Sequence, residues 1–182
     1  MISIKSPHKD IAVSSEALTR ECMGRGRSGS VFKFKLDSKD VAIKLYDIHR
    51  TGVYERMHRE LQMYERLAAY QGQFIPTIEG TVMIDGEVMG ICMTCLKLLP
   101  YRLSHWTTQD KYRAKGVLLR LADAGLFHDD IKTDNFGVTL DNRMMVFDFE
   151  DVTCAEDLPE ELDVGKFTTR YKKRICRMFK DK

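Results

Sequence analysis

Residues 128–135, HDDIKTDN, followed by residues 146–149, VFDF, decide the interpretation of this chain. Asp130 and Asp148 lie 18 residues apart in these two strings, and Asn135 lies between them. Carboxylate and amide side chains are common in turns, but they are also the oxygen ligands that Mg²⁺ prefers in proteins. We therefore predict that the two strings contribute to one polar site.

Two further strings precede this pair in the order that a phosphoryl-transfer site requires. They are GRGRSGSV at residues 24–31 and VAIK at residues 41–44. Transfer of a γ-phosphoryl group needs a backbone cradle for phosphates, a lysine, metal ligands and a carboxylate that faces the incoming hydroxyl. Any one of these strings would be weak evidence, but together the four supply every part.

On these motifs the chain resembles the catalytic domain of eukaryotic-type protein kinases, from about Gly24 to Phe149. The resemblance implies an α+β, protein-kinase-like bilobal fold with a complete β-rich N-lobe and a minimal helical C-lobe. We divide the chain into a leader over residues 1–17, an N-lobe over residues 18–96, and a reduced C-lobe over residues 97–182. Residues 1–15 have no sustained period, which is typical of a leader or a short, partly ordered strand. The last segment would hold the catalytic loop and a basic C-terminal helix.

The resemblance also assigns the catalytic and metal-binding residues. Asp130 matches the aspartate that accepts or orients the proton of the substrate hydroxyl. Lys132 resembles the lysine that protein serine/threonine kinases use near the transferring phosphate. Asn135 and Asp148 match the two side chains that hold Mg²⁺ in the family. ATP would be the phosphate donor.

The predicted ATP-binding residues come mainly from the N-lobe. Glycines lack Cβ atoms, so their backbone N–H groups can approach phosphates closely. Lys44 would contact phosphates and pair with a glutamate on the next helix, for which Glu60 fits the pattern better than Glu55 or Glu65. Met93 would be the gatekeeper beside the adenine, and Leu96 would offer backbone contacts. The full set is Gly24, Gly26, Gly29, Val31, Ala42, Lys44, Glu60, Met93 and Leu96.

The hydrophobic pattern predicts the main elements. Alternating residues over 31–36 predict a strand, and apolar residues spaced by three and four over 51–70, including Ala68, predict a helix. The other predicted elements are a DSKD turn at 37–40, a strand at 41–45, a hairpin around Asp85 and Gly86 within 80–96, a short helix at 103–106, a helix at 108–126 capped by Thr108, and a helix at 168–179 with Tyr171, Ile175, Met178 and Phe179 on one face.

Three features depart from the family pattern. Asp129 replaces the arginine that receives an activation-loop phosphate, so we expect no phosphorylation switch by that route. Glu150 replaces the glycine after Asp148 and Phe149, which adds an anion beside the predicted metal site and either inhibits it or locks an active conformation. No A-P-E string follows, and 33 residues remain after Phe149. The C-lobe is therefore expected to be small.

Three functions remain open. The first is an ATP- and Mg²⁺-dependent minimal kinase that phosphorylates serine or threonine hydroxyls of a protein substrate. The second is a truncated kinase mimic or pseudokinase that binds and inhibits a host kinase, suggested by the reduced C-lobe and Glu150. The third is an atypical or small-molecule kinase, similar to the RIO-like and sugar-kinase branches, against which Lys132 and the glycine-rich string argue.

Composition limits the partners and the compartment. The chain has 182 residues, 43% of them hydrophobic, and a formal net charge of +2, so no global field attracts nucleic acid or a membrane surface. Five cysteines without framework spacing indicate a reducing compartment. Cys92 and Cys95 lack a second pair for a zinc site. We expect a cytoplasmic protein, or a host cytoplasmic or nuclear one if a pathogen encodes it, with no membrane or nucleic-acid partner.

Overall fold

The computed structural model describes residues 9–14, 22–84 and 87–180. The chain divides into two compact units: unit 1 comprises Met1–Gly72 and Pro76–Leu96, and unit 2 comprises Gln73–Ile75 and Lys97–Lys182. The described residues form a mixed α+β protein with a large sheet in unit 1 and three α-helices in all, which confirms the predicted class. The predicted turn at Asp85 and Gly86 lies outside the described residues.

Unit 1 is organised by a six-stranded sheet. The strand order is β1-β5-β6-β4-β3-β2, with β1 parallel to β5 and every other pair antiparallel. β1 lies within the stretch predicted as a leader. The strands are β1 (Asp10–Ala12), β2 (Cys22–Arg25), β3 (Gly29–Leu36), β4 (Lys39–Tyr46), β5 (Ile78–Ile84) and β6 (Glu87–Thr94).

The β3–β4 connection is tighter than the predicted four-residue turn. Asp37 and Ser38 both have positive φ, 46° and 67°, which is the geometry of a two-residue hairpin turn that matches strand twist. Lys39 and Asp40 therefore continue β4. The Asp40 carboxylate pairs with Lys33 at 3.1 Å across this hairpin.

Alternation along the strands separates two faces of the unit 1 sheet. One face forms an apolar cluster of Ile11, Val13, Val41, Ile43, Val82 and Cys92. The opposite face carries Ala42 and Lys44, because these residues alternate with Val41 and Ile43 along β4. The alternation along β4 therefore decides which face of the sheet Lys44 occupies.

Helix α1 (Val53–Arg66) lies in unit 1 after β4 and is followed by a 3₁₀ turn, Ala68–Tyr70. Its buried side chains include Met57, Leu61 and Tyr64, as the three-and-four spacing predicts. Ala68 is exposed, so its predicted place in the apolar stripe is wrong. The α-helix ends before it, and the tighter turn no longer follows the α-helical period.

Unit 2 contains two antiparallel ribbons and two helices. The three-stranded ribbon has the order β10-β9-β7, and the second pairs β11 with β8. The elements are β7 (Lys97–Leu98), α2 (Thr108–Asp123), β8 (Leu126–His128), β9 (Phe136–Val138), β10 (Met144–Val146), β11 (Val152–Cys154), α3 (Val164–Met178) and 3₁₀ turns at Leu103–His105, Thr133–Asn135 and Ala155–Asp157.

Aromatic side chains form the core around α3. Phe127 packs edge-on against Phe167 and Tyr171, with ring centroids 4.7 and 5.1 Å away. Phe179 is buried beyond the helix end, and Met178 is half-buried. The helix begins at Val164, earlier than predicted. Among the described residues, no helix is both long enough and apolar enough to cross a membrane.

The start of α2 corrects one predicted residue. Thr107, and not Thr108, is the N-cap: its hydroxyl accepts a hydrogen bond from the Asp110 N–H at 3.0 Å, and the Asp110 carboxylate accepts the Thr107 N–H at 3.1 Å. This reciprocal pair is a capping box. Two adjacent threonines look alike in sequence, and only the extended backbone of Thr107 (φ −66°, ψ 158°) distinguishes them.

We expect Thr107→Ala to lower the free energy of unfolding by about 1 kcal/mol, because the Asp110 N–H loses the side-chain hydroxyl that accepts its hydrogen bond. Thr108→Ala is the matched control and should change stability by less than about 0.5 kcal/mol. Urea denaturation of both variants and the wild type checks this. Equal destabilisation by the two substitutions would contradict the cap assignment.

Candidate functional site

The predicted site residues divide between the two units. The glycine-rich string, Lys44, Glu60, Met93 and Leu96 belong to unit 1. The residues that the resemblance assigns to catalysis and metal binding belong to unit 2: Asp130, Lys132, Asn135 and Asp148.

Lys44 and Glu60 form a buried ion pair in unit 1. The Lys44 Nζ lies 2.7 Å from Glu60 Oε2, and the two side chains are 13% and 0% exposed. The Tyr46 hydroxyl donates a hydrogen bond to the same carboxylate oxygen, and the Lys44 Nζ lies 5.2 Å from the centre of the Tyr46 ring. Since a buried carboxylate is costly without a cation and hydrogen bonds, these contacts hold the lysine in a defined position.

Helix periodicity explains why Glu60 is the partner. It lies on the face of α1 that also buries Met57 and Tyr64. Glu55 and Glu65 are exposed. The structure therefore pairs Lys44 with the glutamate that the sequence favours.

The glycines of the β2–β3 connection have different structural roles. A Cβ atom on Gly29 would lie 1.7 Å from the Leu45 carbonyl oxygen, so the close approach of β3 to β4 requires glycine there. A Cβ atom on Gly24 would meet nothing within 4 Å, and one on Gly26 only the Gly29 carbonyl oxygen at 3.9 Å. Sheet packing therefore explains the glycine at position 29, whereas at Gly24 and Gly26 it does not require one.

Three of the remaining unit 1 residues, Val31, Ala42 and Met93, share the sheet face of Lys44. Val31 is paired with Lys44, and Ala42 is paired with Met93, so all four side chains point to one side of the sheet. Ala42, Met93 and Leu96 are buried, and Val31 is half-buried. The result is an apolar surface beside a charged lysine, as a site for a base and its phosphates would need.

In unit 2, Asn135 joins the loop of Asp130 to the strand end that leads to Asp148. Asn135 is 3% exposed, and its Nδ2 donates to the Asp130 carbonyl at 2.9 Å. The Phe147 N–H donates to the Asn135 carbonyl at 3.0 Å. This loop junction, formed by Asp130, Asn135 and Phe147, connects the two strings that were predicted to form one polar site.

Lys132 folds back onto the Asp130 carboxylate. Its Nζ lies 2.5 Å from Asp130 Oδ2, and the side chains are 46% and 42% exposed. The hydrogen bond to Asp130 raises the pKa of Lys132, and the charges of Asp130, Asp148 and Asp134 add to this effect. The lysine is therefore a cation near both predicted aspartates. Both members of the pair are open to solvent.

The backbone at Asp148 is unusual. Its φ is 68°, in the left-handed region that few residues other than glycine adopt. Aspartate tolerates this region better than most side chains, and such conformations often occur at functional sites. Phe149 and Glu150 follow and are both buried. The anion that replaces the family's glycine is therefore shielded from solvent.

Asp129 bonds directly to the segment beyond Asp148. Its N–H donates to the Asp151 carbonyl at 3.0 Å, and its carboxylate accepts the Thr153 hydroxyl at 2.7 Å. Pairing of β8 with β11 aligns His128 with Val152 in the same region. The resembled family has an arginine at the position of Asp129. Here Asp129 instead accepts a hydrogen bond from the Thr153 hydroxyl.

His128 is a buried, neutral residue. Burial lowers its pKa, and its Nε2 lies 3.1 Å from the Phe147 carbonyl oxygen. A neutral imidazole that contacts a carbonyl in this way donates from Nε2. The ring also packs against Phe149, with centroids 5.5 Å apart. This geometry supports a structural role for His128 and not that of a base.

No cysteine belongs to a cluster of potential metal ligands in the part of the chain that the structure describes. Cys92 is buried in the core of unit 1, and burial raises the pKa of its thiol to about 12. Cys95 is half-buried, and all five cysteines are free thiols.

The donor set of unit 2 fits Mg²⁺. With Nδ2 directed to the Asp130 carbonyl, the amide of Asn135 has its orientation fixed. Amide and carboxylate oxygens are hard ligands of the kind that Mg²⁺ binds. Asn135 and Asp148 are thus the residues that would hold the ion.

Sequence reasoning missed two positioning tyrosines. Tyr46 follows Lys44 by two residues on β4, so the period of the strand could have placed it on the same face. Tyr171 was predicted only as an apolar residue of the last helix, but its hydroxyl donates to the His128 carbonyl at 2.7 Å. No sequence signal indicates a contact between residues so far apart.

A comparison of the chain with protein-family models and with curated proteins finds no match in either set. The resemblance to protein kinases therefore depends on the motifs and stays a prediction.

We expect Lys44→Met to lower the free energy of unfolding by about 3–5 kcal/mol, because it leaves the Glu60 carboxylate buried without its cation. The control is Lys39→Met, which removes an exposed lysine that pairs with Glu79 and should cost less than about 1 kcal/mol. Chemical denaturation at neutral pH measures both. If the two variants are equally stable, the buried pair does not contribute as described.

We expect stability to fall as the pH drops below about 6.5, the ordinary histidine value, because unfolded His128 binds a proton that folded His128 excludes. The stability from neutral His128 is complete above that pH and is lost toward its lower folded pKa. The slope cannot exceed about 1.4 kcal/mol per pH unit for one group. Denaturation at pH 7, 6 and 5 should show a shallower slope for His128→Gln.

His105→Gln is the control for this measurement, since His105 is exposed. Its slope should equal that of the wild type. Equal slopes for His128→Gln and the wild type would show that another group causes the acid sensitivity.

Proposed function

We propose that this chain is an ATP- and Mg²⁺-dependent phosphotransferase that acts on serine or threonine hydroxyls of proteins, with the fold of a compact protein kinase. The observation that carries the proposal is the loop junction in unit 2. Hydrogen bonds at Asn135 link the backbone of Asp130 to the strand end before Asp148. The backbone segments linked in this way carry two carboxylates and an amide, the combination of groups that phosphoryl transfer uses.

The unit 2 residues have distinct proposed roles. The half-exposed carboxylate of Asp130 would orient the substrate hydroxyl and take its proton. Lys132, a cation held beside this carboxylate, would balance negative charge on the transferred group. Asn135 and Asp148 would hold Mg²⁺, which supplies charge neutralisation at the phosphates when it is bound.

The unit 1 residues would bind the nucleotide. Lys44, held by Glu60 and Tyr46, is positioned to contact phosphate oxygens. The backbone N–H groups near Gly24 and Gly26 would approach the phosphates without a side chain between them. The buried side chains of Ala42 and Met93, with the backbone of Leu96, would contact the base.

The contacts of Asp129 bear on regulation of this activity. The Thr153 hydroxyl and the Asp151 carbonyl already bond to Asp129 and so hold the segment after Asp148. A phosphate on this segment would meet the carboxylate of Asp129 and not an arginine, and like charges repel. The proposed kinase would therefore be active without phosphorylation of that segment.

One observation favours a second function, nucleotide binding without transfer. Glu150 is a buried carboxylate two residues after Asp148, and its charge would oppose an incoming triphosphate. A chain of this kind could act by binding a partner kinase. Lys44 and the glycine-rich connection would then retain only a nucleotide-binding role.

We expect Asp130→Asn to lower the rate of phosphate transfer from labelled ATP to a serine- and threonine-containing acceptor protein by roughly 10²–10⁴-fold, because the reacting hydroxyl loses its proton acceptor. Asp134→Asn is the matched control, an exposed aspartate of the same loop, and should retain activity. Wild-type incorporation must require Mg²⁺.

Equal incorporation by the wild type and Asp130→Asn would contradict the proposal. A thermal melt with ATP and Mg²⁺ distinguishes nucleotide binding without transfer from the proposed kinase activity. Stabilisation by the nucleotide without any transfer supports binding alone, and it should disappear in Lys44→Met.

A further inference from the structure

The last helix of unit 2 contacts the backbone of the predicted catalytic loop. The Tyr171 hydroxyl on α3 donates to the His128 carbonyl at 2.7 Å, across 43 residues of sequence. Tyr171 is 6% exposed. A buried tyrosine hydroxyl needs a hydrogen-bond partner, and here the partner is the backbone two residues before Asp130.

The surrounding side chains hold this hydroxyl in place. The Tyr171 ring packs edge-on against Phe127, which also contacts Phe167 one turn earlier on α3. Burial raises the pKa of the Tyr171 phenol. The group therefore remains a hydrogen-bond donor across the pH range in which proteins are studied.

His128 in turn connects two predicted site residues. Its Nε2 donates to the Phe147 carbonyl, next to Asp148. Along the chain its backbone leads to Asp130, whose carbonyl accepts the Asn135 side chain. The backbone of His128 is thus held by α3 on one side, and its ring contacts the strand end before Asp148 on the other.

We propose that Tyr171 is a positioning residue for Asp130: its hydroxyl fixes the His128 backbone and so fixes where the Asp130 carboxylate lies. The Asp130 side chain is 42% exposed, so packing around the carboxylate itself provides little restraint. Its position depends on the backbone that carries it. The expected effect of Tyr171 on the rate of phosphate transfer rests on the proposed function. The expected effect on the loop backbone does not.

The test uses Tyr171→Phe in the full chain, which removes the hydroxyl and keeps the aromatic contacts. Tyr112→Phe is one control, because Tyr112 is an exposed tyrosine on α2. Ile175→Val is a second control. Ile175 is fully buried on the same helix, so this variant weakens the packing of α3 without removing the hydrogen bond.

Two measurements give separate answers. Amide hydrogen exchange of residues 128–135 should become faster by about tenfold in Tyr171→Phe, while residues 39–46 of unit 1 exchange as in the wild type. With ATP and an acceptor protein, kcat should fall by about tenfold and the KM for ATP should change by less than about twofold, since orientation of the hydroxyl is weakened and nucleotide binding is not.

Either control variant should retain the wild-type kcat. Exchange of residues 128–135 in Tyr171→Phe equal to that in Tyr112→Phe would overturn the inference. So would a tenfold loss of kcat in Ile175→Val, because packing alone would then explain the effect. Faster exchange with an unchanged kcat would also overturn the positioning role. If the wild type transfers no phosphate, the proposed function fails, and exchange alone decides whether Tyr171 holds the loop.

Discussion

Buried polar groups must find partners, and this requirement determines the geometry of the candidate site residues. Glu60 is inaccessible to solvent and contacts Lys44 and Tyr46. Asn135 is almost as deeply buried and contacts the Asp130 backbone. In both cases the cost of leaving a polar group unsatisfied selects one side-chain orientation. The proposed chemistry uses orientations that folding already requires.

Secondary structure places these groups by simple periodicity. The period of two along β4 puts Lys44 and Tyr46 on one sheet face and leaves Val41 and Ile43 for the apolar cluster on the other. The period of 3.6 along α1 turns Glu60 inward. A slip of one residue in β4 would exchange the two faces and remove the ion pair. Register is therefore as important as residue type.

Unit 2 depends more on contacts between distant residues. Its short strands and 3₁₀ turns have little intrinsic stability. Aromatic packing on α3 and hydrogen bonds from Tyr171, Asn135 and Thr153 hold the loops instead. These contacts explain how a small helical unit can fix the loop that carries Asp130. They also explain why a carboxylate at Asp129 is tolerated, since a hydroxyl partner replaces the expected charge pair.

Most long elements could be predicted from periodicity, whereas their ends could not. The choice of Thr107 as cap, the two-residue turn at Asp37 and Ser38 and the exposure of Ala68 each depend on backbone angles that several sequences allow.

The sequence by itself determined the mixed α+β class, the strand of Lys44, the helix of Glu60 and the candidate chemistry of Asp130, Asn135 and Asp148. These follow from residue type and spacing within single segments. Only the tertiary structure decided that Tyr46 contacts Glu60, that Thr153 contacts Asp129 and that Tyr171 contacts His128. Such hydrogen bonds join residues that are distant in the chain, and local periodicity contains no information about which distant groups meet.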